Sequence, residues 1–185
     1  MRRKLFVTIL TCGVLAAPLL SQEAPPACPL HAEHQKAAQE NPHAGHGDSA
    51  ALDRRGDAVM GFEHTRTTHH FLLKEDGGVI QVEANHAGDA ASVAQIRGHL
   101  AQVARSFAAG DFRMPAEIHD RVLPGVPDMT RLAQQIQYHY EDLERGGRVR
   151  ITTGNPEARA AVHAFLKSQI EDHRTGDPQE VSGGS

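Results

Sequence analysis

The fold is decided by residues 64–84, HTRTTHHFLLKEDGGVIQVEA. Residues 64–75 are rich in Thr, His and Phe and alternate in polarity. Asp76-Gly77-Gly78 supplies a turn, and residues 79–84 alternate again, so the stretch predicts a β-hairpin. Side chains of a strand point to opposite faces in turn. Phe71, Leu73, Ile80, Val82 and Ala84 therefore share one face with His69, while His64, Arg66, Thr68, His70 and Leu72 share the other.

Working outward, residues 90–109 carry Val93, Ile96, Leu100, Val103, Ala104 and Phe107 on one helical stripe that stops at Gly110. The pattern then repeats. Residues 136–143 alternate, Gly146-Gly147 turns, residues 148–153 return, and Asn155-Pro156 opens a second helix with Ala158, Val162, Phe165, Leu166 and Ile170 in its stripe. Two ββα copies imply an α+β domain over residues 58–177: a four-stranded antiparallel sheet with both helices on one face. The join, residues 111–128, reads as a long loop with three prolines, closed by a short helix over residues 128–135.

Upstream, Arg2, Arg3 and Lys4 precede an uncharged apolar run over residues 5–20, interrupted by Gly13 and Pro18. This reads as a signal peptide over residues 1–21 and predicts a periplasmic or secreted protein, an uncleaved membrane anchor being the alternative. Of the 19 basic residues three lie in that leader, against 23 acidic residues elsewhere, an acidic balance that argues against nucleic acid as partner. Residues 22–57 lack apolar periodicity and read as a His-rich flexible arm, and residues 178–185 as a disordered tail.

The chain has 13 histidines and 2 cysteines, and cleavage would leave Cys28 as the sole thiol. In the arm, Cys28, His31, His34, His43 and His46 stand at spacings that allow a mobile backbone to wrap thiolate and imidazole donors around Zn2+ or a copper ion. In the body, aligning the two Gly-Gly turns puts His139 at the position of His70. If the hairpins pair through their first strands, the two imidazoles share an ion on the open face, with His64 or His119 completing the set. If they pair through their second strands, that site vanishes. His99 and His163 flank their helical stripes, His173 falls within its stripe, and Asp120 stands beside His119 as an orienting carboxylate or as ordinary loop polarity.

The tetrapeptide Cys28-Pro29-Leu30-His31 resembles the heavy-metal-binding segments of bacterial efflux adaptors. Met60-Gly61-Phe62, Thr67-Thr68-His69-His70-Phe71, Ile118-His119-Asp120, Val162-His163-Ala164-Phe165-Leu166 and Glu171-Asp172-His173-Arg174-Thr175-Gly176-Asp177 together resemble a group of small exported bacterial proteins. That resemblance implies export and the fold, and brings no activity with it. No G-x-S-x-G, H-E-x-x-H, P-loop or C-x-x-C motif occurs. The expected function is binding of copper or zinc outside the cytoplasm. The rival readings are a small metal-dependent enzyme using His70, His119 and a bound water, and a protein-interaction module built on the open sheet face.

Overall fold

Alternation and turn chemistry build the two hairpins where the sequence puts them. In the computed structural model, which describes residues 49–181, β1 (Thr67–Lys74) and β2 (Gly77–Ala84) form the first hairpin and β3 (Gln137–Leu143) and β4 (Gly146–Thr152) the second. The helices are α1 (Ser49–Met60), α2 (Ala90–Ala108), α3 (Arg113–His119), α4 (Val126–Arg131) and α5 (Pro156–His173), with single 3-10 turns at His64–Arg66 and Ala133–Gln135. Asp89 caps α2 by accepting from the Ser92 N–H at 3.1 Å, and Asn155 caps α5 by accepting from Glu157 N–H at 2.8 Å. The expected α+β class, with one antiparallel sheet, is present.

The sheet order is β1-β2-β4-β3, every pair antiparallel. The hairpins thus join through their second strands, and β1 and β3 are the two edges. Each copy's long helix lies over the other copy's hairpin, and each clamps the opposing turn. The Arg97 guanidinium on α2 donates to the carbonyls of Leu143 (2.6 Å) and Gly146 (3.1 Å), while His163 Nε2 on α5 lies 2.9 Å from the carbonyls of Lys74 and Gly77. The two residues hold the same position, eighth in their helices.

The core lies between sheet and helices. Leu73, Ile96, Leu100, Met129, Val149, Ile151, Val162 and Leu166 are buried there, and Phe107 packs on Phe112, Tyr138 and Phe165. Three expectations need correction. The body begins with α1, inside the stretch read as an arm, because Leu52, Gly56 and Met60 bury one narrow side of that helix. Residues 111–128 contain α3 and the start of α4 rather than a bare loop. Strand β1 starts at Thr67, so His64 belongs to a 3-10 turn and not to the sheet.

Candidate functional site

Four histidines converge at one end of the core, on a cavity of about 60 Å³ between sheet and helices. His69 comes from β1, on the covered face that strand alternation assigns it. His99 comes from α2, His119 from the last turn of α3 and His173 from the last turn of α5. The Met60 and Met114 side chains line the same space, and its walls include Phe71, Val82, Leu100 and Phe165.

The His69 and His173 rings lie parallel, with centroids 5.8 Å apart and planes 8° from each other. His119 meets His173 edge-on at 5.2 Å and 84°. Phe62 closes the cluster, stacked on His69 at 6.1 Å and edge-on to His99 at 5.7 Å. Asp172 Oδ2 lies 2.7 Å from His119 Nδ1 and is itself held by the Arg121 guanidinium. His119 Nδ1–H thus donates to the carboxylate, which fixes the tautomer and leaves Nε2 with a free lone pair. Gln169 Oε1 sits 3.2 Å from that Nε2, whereas Gln169 Nε2 and His69 Nε2 are buried without a hydrogen-bond partner. Exchanging the Gln169 amide oxygen and nitrogen pairs its N–H with the His119 lone pair; the orphan on His69 remains.

Burial keeps these imidazoles neutral. His69 is pushed down to about 3 by burial and then by the neighbouring His173 and His99. Burial takes His99 to about 4, and burial together with His119 takes His173 to about 4. His119 also falls below its ordinary value, because burial outweighs the attraction of Asp172.

The ligands expected from sequence are distributed differently. His70 and His139 do hold equivalent positions, paired with Gln81 and Arg150. They stand on opposite edges of the sheet, three strand spacings or about 14 Å apart across it and offset by two residues along it. One ion cannot bridge that distance, so the shared open-face site is not formed. His70 Nδ1 instead pairs with Asp177 Oδ1 at 2.9 Å, beside the Asp177 contact to the Phe71 N–H at 2.9 Å. His64 Nδ1 turns to Asp57 on α1 at 3.0 Å. His119 faces the core rather than the open face, and its carboxylate is Asp172, not its sequence neighbour Asp120, which takes a left-handed conformation. Cys28, His31, His34, His43 and His46 lie outside the described residues, as does the predicted signal peptide.

Among the described residues no three His, Cys, Asp or Glu side chains are already arranged around a common metal position. No described helix is long and apolar enough to cross a membrane. No family model, curated protein or solved structure matches the chain.

Proposed function

We propose that the protein binds a transition-metal ion, copper or zinc, outside the cytoplasm, and that His69, His119 and His173 hold it. The ring spacing carries this reading. A metal–nitrogen bond of about 2.0–2.1 Å puts each ring centroid roughly 3.2 Å from the ion, so two imidazoles at tetrahedral to trigonal angles stand about 5.2–5.5 Å apart. The His119–His173 and His69–His173 separations, 5.2 Å and 5.8 Å, fall at and just beyond that interval. Ligation requires the rings to turn about their Cβ–Cγ bonds, which are soft torsions. Movement of Gln169 frees His119 Nε2.

Three further features support the reading. Neutral imidazoles need not shed a proton to ligate at neutral pH. Asp172 orients His119 from behind as a carboxylate commonly does for a metal-bound histidine. The orphaned His69 nitrogen gains a partner. A space of about 60 Å³ takes an ion and its nearest neighbours, far less than the few hundred Å³ an organic ligand fills. The leader and the His-rich arm are consistent with export and with capture of the ion by Cys28, His31, His34, His43 and His46.

Elemental analysis of untagged full-length protein from its native compartment tests the function, and titration of His69→Ala, His119→Ala and His173→Ala variants tests the site. Each variant is expected to lose the same single equivalent of copper or zinc. Undiminished stoichiometry in all three overturns the site.

A further inference from the structure

We propose that the ion is monovalent copper, bound by His69, His119 and His173 together with a thioether from the methionines that line the cavity. This rests on the metal-binding reading above and deepens it by choosing the charge and softness of the cargo.

Charge is the first ground. Among the described residues the cavity wall contains histidines, methionines, a glutamine, a proline and aliphatic or phenyl groups, with no carboxylate or thiolate among them. Bound there by neutral donors, an ion keeps its whole charge against an apolar wall. The solvation lost on entering such a medium grows with the square of the charge, so a divalent ion loses about four times as much as a monovalent one. Among the described residues the carboxylates behind the ligands are Asp172, with which the Arg121 guanidinium already pairs, and Asp53, which the Arg174 guanidinium approaches at 3.4 Å. Each of these carboxylates is already countered by a guanidinium, which leaves little to offset a second positive charge.

Ligand chemistry is the second ground. Met60 is buried beside Gly56, where a Cβ would stand 3.2 Å from the Met60 methyl, and Met114 is partly buried across the cavity. Thioethers are soft donors that hold Cu+ and contribute little to Zn2+, which takes thiolate, imidazole or carboxylate. A cavity with imidazoles, two thioethers and no carboxylate matches the soft monovalent ion.

The test uses full-length protein under anaerobic, reducing conditions, with a chromophoric Cu+ chelator as competitor, beside parallel titrations with Zn2+ and Cu2+. Parent protein is expected to withdraw one more equivalent of Cu+ than the His69→Ala/His173→Ala double variant. Met60→Leu/Met114→Leu, which preserves apolar volume, should weaken that equivalent at least tenfold and leave Zn2+ binding unchanged. Copper-edge X-ray absorption of the loaded Cys12→Ser/Cys28→Ser protein, which has no thiolate and keeps every residue of the cavity, should show Cu+ with nitrogen and sulfur neighbours. If the histidine-dependent equivalent prefers Zn2+ or Cu2+, or if absorption shows no sulfur, the cuprous assignment fails while the metal site stands. If no ion depends on His69 and His173, both fail together.

Discussion

Gly78 and Gly147 show how single residues admit the helices onto the sheet. A Cβ on Gly78 would collide with the Leu166 side chain of α5 and the Leu72 carbonyl; one on Gly147 would meet Tyr140 at 2.9 Å and Leu100 of α2 at 3.3 Å. The turn glycines therefore do two things, reversing the chain and letting the opposite copy's helix approach. Gly78→Ala should cost about 1–3 kcal/mol through overpacking, measured as a lower urea midpoint with an unchanged slope. His163 is a second residue whose role is structural. Its Nε2–H is shared between two turn carbonyls, so His163→Ala removes the donor that ties α5 to the first turn and should destabilise by about 1 kcal/mol without altering metal stoichiometry. Alternation alone directed His69 under the helices, and helical periodicity placed His173 in its stripe. His119 escaped that logic, because its direction depends on α3, a seven-residue helix too short to display a period.

At the level of elements, the strongly periodic segments were legible and the short or weakly periodic ones were not. α2 and α5 span several turns with apolar stripes and side-chain caps, and their limits follow from those caps. α1 buries only Leu52, Gly56 and Met60, one position per turn, and Asp53, Arg54, Arg55 and Asp57 stand among its other residues. Its place in the core comes from tertiary contacts that no local pattern announces. The Arg55 guanidinium donates to the Ile118 carbonyl at 2.7 Å, and Ile118 itself is buried. Leu52→Ala should accordingly cost about 2–4 kcal/mol, and removal of residues 22–48 should leave the unfolding midpoint nearly unchanged, whereas a deletion extended to residue 60 should lower it sharply. Phe107→Ala should cost about 3–5 kcal/mol, since this ring is 2% exposed and meets three other aromatic rings. Equilibrium urea unfolding of each variant checks these values.

Over the whole molecule, the repeat is readable but the way its halves join is not, because two equivalent hairpins can be united through either pair of strands. Burial decides the matter. β2 and β4 carry Val79, Ile80, Val82, Val149 and Ile151 and fill the centre, while β3, QYHYEDL, keeps its polar residues at an edge where they stay solvated. That order separates His70 from His139 and draws His69, His99, His119 and His173 together from four elements, a convergence visible only once the chain is folded. It also gives the metal-free protein a pH response. In the unfolded chain these imidazoles take up protons as pH falls through about 6.5. In the native protein His99 and His173 do so only near pH 4, and His69 near 3. The unfolded state therefore binds more protons throughout that interval, and stability rises with pH across it. The stabilising effect of neutral histidines is complete above about pH 6.5 and is lost progressively as pH falls towards 4. With one pKa unit equal to about 1.4 kcal/mol, each of the three loses on the order of 2 kcal/mol between pH 7 and 5. Urea midpoints of the metal-free protein should fall steeply over this range, well above the pH at which carboxylates begin to protonate. His99→Leu should flatten the fall by one proton's worth while leaving the metal equivalent in place. A midpoint independent of pH between 7 and 5 would mean that the cluster is solvated and its imidazoles titrate as they do in the open chain.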